Sequence, residues 1–347
     1  MDDWADYEAR FMTSSIESGF DHAYIVRCLA YARPLYDSCL PIIFNKDHLS
    51  LLVGYKLSYL IGAAQRTTSY YRIFSITKRS GGQRQISEPL PSLKEIQRWI
   101  LDNILYRLPP SRFAKGFVPK RSIRENARFH RNQEKVLSLD LKDFFTSIRV
   151  NRVYLFFHSL GYSRPLSRLL THLCTLDGSL PQGAPTSPAL SNLINVQLDK
   201  RLGGFALKHN LRYTRYADDI TFSGDLHAGR IIRFVQKVVG EDEMRLNEKK
   251  IRLMERHQRQ EVTGITVNQK LQASRETRRR LRQAIYYIDK YGIDSHLNFT
   301  QNMRANYIKH LMGIANFILF VNPNDAEAKN ALNILRRVQT FPPFPNQ

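Results

Sequence analysis

Apolar residues recur at helical spacing over residues 23–29 and 49–60, so residues 1–65 predict a run of short helices. The pattern then changes. Residues 70–77 are rich in aromatic and β-branched side chains, and a second extended run ends at Ser87. Between them Lys78-Arg79-Ser80-Gly81-Gly82 supplies a basic, glycine-bearing tip, which reads as a hairpin. A helix over 93–105 stops before Pro109-Pro110, and another is expected over 122–130. Residues 135–139 predict a short apolar strand ending on Asp140, and helical spacing returns at 153–160, 166–173 and 188–207. Residues 211–216 and 220–223 alternate around Ala217-Asp218-Asp219, which puts an acidic pair at a hairpin turn. A helix over 231–239, strands over 251–254 and 262–267, and a helix from 276 to 288 lead into a helical C-terminal third. Helices mixed with antiparallel hairpins predict an α+β fold.

Charge narrows the partner. Lys and Arg number 52 against 31 Asp and Glu, a net charge of +21. Charge that far from neutral repels itself unless a polyanion neutralises it, and nucleic acid is the leading candidate. No single helix sets this charge opposite a wide apolar face, so a membrane surface is not expected. Cys28, Cys39 and Cys174 form no CxxC pair, which points away from a disulfide framework or a zinc cluster and towards a reducing, cytoplasmic compartment. The acidic start Met1-Asp2-Asp3-Trp4 lacks the order of a signal peptide, and the apolar stretch at 311–321 is short for a membrane span. Pro342-Pro343-Phe344-Pro345 reads as a loose tail.

The acidic residues carry the chemistry. Phosphoryl transfer between nucleotides needs charge compensation, supplied by two Mg²⁺ ions about 3.5–4 Å apart that clamp the attacking and leaving oxygens. Such ions want carboxylates on rigid backbone. Asp140 at one strand end and Asp218-Asp219 on a hairpin meet that need if their strands are neighbours. A solvated turn is the plain alternative for an Asp-Asp pair, but apolar strand residues flank both sites.

Three motifs in order, Leu139-Asp140-Leu141-Lys142-Asp143-Phe144-Phe145, then Leu180-Pro181-Gln182-Gly183-Ala184-Pro185-Thr186-Ser187-Pro188, then Tyr216-Ala217-Asp218-Asp219, resemble the palm of reverse transcriptases. The resemblance implies a right-hand polymerase with fingers, palm and helical thumb. It makes Asp140, Asp218 and Asp219 the catalytic, metal-binding triad, with Mg²⁺ as the cofactor and Mn²⁺ as a substitute. Asp143 is read as a turn or salt-bridge residue. Phe145 stands where the family places the side chain that collides with a ribose 2′-OH, while Phe144 suits the core. Gln182 resembles a glutamine lining the deoxynucleoside triphosphate pocket, and Gly183 leaves room for close backbone approach. Lys78 and Arg84 on the fingers hairpin are expected to meet the triphosphate as a point charge and a fork. Leu246-Asn247-Glu248-Lys249-Lys250 resembles the motif that brings a lysine to the departing pyrophosphate; alignment favours Lys250 over Lys249.

Two short elements narrow the resemblance to bacterial retron reverse transcriptases: Asn126-Ala127-Arg128-Phe129-His130, an Asn-Ala-x-x-His element, and Val262-Thr263-Gly264. This resemblance runs over residues 70–320 and leaves the N-terminal helices and the tail unassigned; with the helical spacing before it, four regions are expected: an N-terminal helical extension at 1–65, fingers with part of the palm at 66–135, palm at 136–258 and an RNA-binding thumb region at 259–347. It also implies a structured non-coding RNA, copied in part into multicopy single-stranded DNA from a 2′-OH primer. An antiphage role with a separately encoded effector, and template removal by a host RNase H, are further implications. Asn126, His130, Val262, Thr263, Gly264, Arg278 and Arg279 are then candidate RNA contacts, with Arg275, Arg280 and Arg282 on the same helix. The alternatives are a group II intron or diversity-generating enzyme, whose further maturase or zinc-bearing parts are not seen, and an RNA-binding scaffold or antitoxin holding an effector inactive.

Overall fold

The computed structural model describes residues 3–78, 81–301 and 303–340. Arg79 and Ser80 of the expected hairpin tip, and the proline-bearing tail at 342–345, lie outside the described residues.

The chain opens with α1 (Trp4–Glu17), α2 (His22–Asp37), α3 (Lys46–Val53) and α4 (Leu57–Gln65). Asp21 and Asn45 cap α2 and α3 by accepting backbone N–H bonds. The single helix expected over 49–60 is two, because Gly54 adopts φ +73° and ends α3. β1 (Tyr71–Thr77) and β2 (Gln83–Pro89) form the antiparallel hairpin expected there, followed by α5 (Pro91–Asn103), with Pro91 in its first turn. α6 (Ile123–Phe129) begins at the N-cap Ser122, whose hydroxyl accepts from the Glu125 N–H. β3 (Lys135–Asp140), α7 (Phe144–Ser147), α8 (Val150–Ser159) and α9 (Arg164–Cys174) follow. The helix expected over 188–207 breaks at Asn195 into α10 (Thr186–Ile194) and α11 (Val196–Lys208). There the Asn195 amide donates to the Ser191 carbonyl while its oxygen accepts from Arg152.

β4 (Arg212–Tyr216) and β5 (Asp219–Gly224) make a two-residue-loop hairpin, then come α12 (Ala228–Gly240) and β6 (Arg252–Glu255). The strand expected over 262–267 is itself a hairpin, β7 (Glu261–Val262) and β8 (Ile265–Thr266), joined by β9 (Gln272–Ala273). Thr263 and Gly264, at φ +47° and +80°, turn the chain between them. The C-terminal helices are α13 (Arg275–Tyr291), α14 (Ile293–Thr300), α15 (Tyr307–Val321) and α16 (Ala326–Thr340). The α+β class expected from the sequence is what the chain forms. No helix among the described residues is long and apolar enough to cross a membrane.

Two compact units divide the chain, each assembled from separated segments. One contains residues 1–118, 141–202 and 235–246. It holds the β1–β2 hairpin and a helical core around Leu93, Ile96, Phe157 and Leu170, all buried. The other contains residues 119–140, 203–234 and 247–347. Its centre is an antiparallel sheet in the order β4-β5-β3-β6. The period of two along β3 sorts Leu137 and Leu139 onto one face with Ile220 and Phe222, and Ser138 and Asp140 onto the other with Asp219 and Thr221. The polar face carries the site.

Candidate active site

Asp140 is the last residue of β3 and pairs in register with Asp219, the first residue of β5. Directly opposed cross-strand side chains share a face at about 4.5–5.5 Å between Cβ atoms, and like charges placed so repel. Asp218 lies in the two-residue loop just before Asp219. Burial first, then the charges of Asp218 and Asp140, push the Asp219 carboxyl up to about 6, with Lys250 and Arg252 opposing the shift. Lys250 Nζ donates to Asp140 Oδ2 at 2.8 Å, and this bond raises the lysine above its ordinary value. Asn247 supports the same aspartate twice, through its N–H to the Asp140 carbonyl at 2.8 Å and its amide to Oδ1 at 3.3 Å. Between Lys249 and Lys250, the side chain bonded to the carboxylates is that of Lys250.

The hairpin loop is held in an uncommon conformation. Ala217 is buried with φ +58°, a region in which a side-chain-bearing residue costs about 1–2 kcal/mol. The fully buried Arg215 donates to the Ala217 carbonyl at 3.1 Å, inside the loop it must brace. Sequence reasoning passed over Arg215. Its signal is an arginine two residues after Tyr213, on the face of β4 that this buried tyrosine shares.

A cavity of about 210 Å³ opens on this face, lined by Ser138, Asp140, Asp219, Lys250, Arg252 and the Thr263-Gly264 turn, among others. The Val-Thr-Gly element thus divides: Thr263 and Gly264 reach the acidic site, whereas Val262 is buried in a core with Ala127, Val136 and Ile265. Asn126 and His130 are also buried, and their side chains bond within the fold. Thr214 Oγ donates to Asn126 Oδ1 at 2.6 Å, so its oxygen accepts from His130 Nε2–H at 2.7 Å. His130 Nδ1 is left to accept from Ser223 Oγ at 2.7 Å. Thr214 belongs to β4 and Ser223 to β5, so the Asn-Ala-x-x-His element grips both strands of the acidic hairpin from α6. A longer bond of 3.5 Å runs from the Asn126 amide to Thr263 Oγ.

The expected nucleotide contacts other than Lys250 lie in the first unit. Lys78 and Arg84 are exposed on the β1–β2 hairpin. Phe144 is buried, while Phe145 is half-buried with its ring 6.0 Å from that of Phe117. Gln182 is half-buried, and its carbonyl accepts from the Ser87 N–H at 2.8 Å. The space left by Gly183 is used by the protein itself: at φ +134°, a Cβ there would sit 2.6 Å from the Ser87 carbonyl oxygen. On α13, Arg279 is exposed, but Arg278 is partly buried and paired with Asp325 and Glu327 at 3.3 Å each. Arg278 thus enters any outside contact already engaged by two carboxylates.

Among the described residues, no three His, Cys, Asp or Glu side chains converge as a chelating group. The donor chemistry nevertheless suits a hard divalent cation, because Asp219 is strained by the nearby charges of Asp218 and Asp140 and the countercharge present is largely Lys250.

A family model described as reverse transcriptase (RNA-dependent DNA polymerase) matches residues 76–267. The chain is 38% identical over 299 residues to the retron Mx65 reverse transcriptase of Myxococcus xanthus, covering 80% of this chain and 68% of that protein. It is 34% identical over 289 residues to the retron Ec86 reverse transcriptase of Escherichia coli, covering 82% and 86% respectively. Among solved structures, telomerase from Candida albicans aligns with TM-score 0.42 and 11% identity over 77% of this chain and 63% of its own. A foamy viral protease-reverse transcriptase aligns with TM-score 0.45 and 17% identity over 78% of this chain and 39% of its own.

Proposed function

This chain belongs to the reverse transcriptases, RNA-directed DNA polymerases, and to their retron branch; on that premise we propose that it makes multicopy single-stranded DNA from a structured RNA of its own locus. The observation that carries the catalytic reading is the register of Asp140 against Asp219, with Asp218 in the adjoining loop.

In this reading Asp140, Asp218 and Asp219 hold two Mg²⁺ ions, with Mn²⁺ able to substitute. When bound, the metal compensates charge on the attacking hydroxyl and on the departing pyrophosphate. Asn247 fixes the Asp140 backbone and Arg215 holds the loop that presents Asp218. Lys250 neutralises Asp140 and is positioned to exchange that partner for a phosphate. Phe145 rejects ribonucleotides, Gln182 lines the nucleotide pocket, and Lys78 and Arg84 meet the triphosphate. Thr263, Gly264 and Arg279 contact RNA, and Asn126 and His130 serve that function by positioning.

Fingers at 66–135, palm at 136–258 and thumb at 259–347, with the helical extension at 1–65, are the proposed regional roles. Priming from an RNA 2′-OH gives a branched RNA–DNA product, a host RNase H trims the template, and the complex works with a separate effector in cytoplasmic antiphage defence. The test is to express the chain with its flanking DNA and resolve deproteinised nucleic acid on a denaturing gel. A small branched DNA is expected, and Asp218→Asn with Asp219→Asn must abolish it. Persistence of that product in the double variant overturns the catalytic assignment.

A further inference from the structure

Helix α13 changes character along its exposed side. Its N-terminal half exposes Arg275, Arg279, Arg280 and Arg282, while its C-terminal half exposes Tyr286, Tyr287 and Tyr291. Leu281, Ala284, Ile285 and Ile288 bury the opposite face in a core shared with α15 and α16, so the tyrosines are surplus to that packing. Tyr286 and Tyr291 are each 55% exposed, and Phe299 of α14 is 79% exposed. The rings are organised. Tyr287 stacks with Tyr291 at 6.1 Å and with Phe299 at 6.2 Å, both with planes 26° apart. Lys290 Nζ lies 5.6 Å from the Tyr286 ring centre and 5.2 Å from that of Tyr291.

Open aromatic rings interleaved with cations fit a particular ligand. A buried apolar interface would be penalised by Lys290 among the rings, and duplex nucleic acid hides its base faces. Unpaired nucleotides offer both a π-face for each ring and a phosphate for each cation. Over α13 the charge balance favours a polyanion: Arg275, Arg279, Arg280 and Lys290 stand against Glu276 and Asp289, while Arg278 is paired with Asp325 and Glu327 and the exposed Arg282 shares Glu327 at 3.5 Å.

We propose that Tyr286, Tyr287, Tyr291 and Phe299, with Lys290, form a stacking platform for an unpaired stretch of the RNA, whose phosphates continue along Arg282 and Arg279. RNA is chosen over the product strand because the polymerase must hold its template before any DNA exists; this step rests on the proposed function.

The test uses the full chain and three labelled probes of equal length: oligouridylate, duplex RNA and oligothymidylate. Tyr286→Ala with Tyr291→Ala should weaken oligouridylate binding about tenfold or more, leaving duplex affinity and the salt slope unchanged. Tyr286→Trp with Tyr291→Trp should preserve or tighten binding, which guards against a mere folding defect. Lys290→Gln should lower the single-strand salt slope by about 0.7. No loss for oligouridylate, or an equal loss for duplex, overturns the platform. Tighter oligothymidylate binding with the same ring dependence reassigns the surface to DNA and overturns the RNA choice. Self-association of the wild-type chain that is lost in the alanine variant overturns both. Extension of oligo(dT) on poly(rA) by the wild-type chain is measured alongside: its absence defeats the polymerase reading, and its presence without ring dependence defeats only the platform.

Discussion

Replacing Asp219 with Asn should stabilise the metal-free protein while abolishing polymerisation. The carboxyl is raised from 3.8 to about 6 by burial and by the charges of Asp218 and Asp140. At about 1.4 kcal/mol per tenfold, that preference for the neutral form is worth about 3 kcal/mol, and residual solvent access at the cavity reduces it to about 1–2 kcal/mol. The sign follows from linkage. The native carboxyl binds its proton more tightly than the unfolded one, so its contribution is fully present below about pH 4 and is lost as pH rises through about 6. An isosteric amide carries no charge at either pH. Urea unfolding in EDTA should therefore show Asp219→Asn more stable than wild type by about 1–2 kcal/mol at pH 7.5, with the difference closing at pH 4. Added Mg²⁺ should raise the wild-type midpoint more than that of the variant, because a ligand of the native state stabilises by mass action. Equal stability at pH 7.5, or a gap that persists unchanged at pH 4, would refute the argument that the three carboxylates are electrostatically strained.

Lys250→Gln removes the countercharge from Asp140 and should destabilise the metal-free protein at pH 7.5; Asp219→Asn in the same chain should recover part of the loss, read as a double-mutant cycle in urea. His130→Ala removes the ring from between Thr214, which keeps its bond to Asn126, and Ser223, and should cost about 2–4 kcal/mol in unfolding experiments. At temperatures where the variant stays folded, it should lower kcat more than it raises the KM for template. Gly183→Ala drives a Cβ into the Ser87 carbonyl and should cost at least about 1–3 kcal/mol, visible as a lower Tm. Phe145→Ala should increase ribonucleotide incorporation in primer-extension assays with little change in Tm, since that ring is only half-buried.

Much of the secondary structure was legible because its signals are local. Aromatic and β-branched runs marked β1 and β2, alternation around Ala217 marked β4 and β5, and helical spacing marked α5, α8 and α9. Breaks were harder to read. Gly54 ends α3 within a continuous apolar pattern, Asn195 divides α10 from α11, and Thr263-Gly264 folds one expected strand into a hairpin.

By itself the sequence determined the order of elements, the basic character of the chain, and the three acidic residues at strand ends and a turn. The motifs around them carry the family resemblance that implies their chemistry. Tertiary structure alone decided which of them face one another, since the register of β3 against β5 joins Asp140 to Asp219 across distant parts of the chain. It also chose Lys250 as the lysine on Asp140 and exposed the role of Arg215. Asn126 and His130 show the reason most clearly. A polar side chain on a short helix carries no local mark of burial, and only the packing of α6 on β4 and β5 bonds these two to the strands of the acidic hairpin.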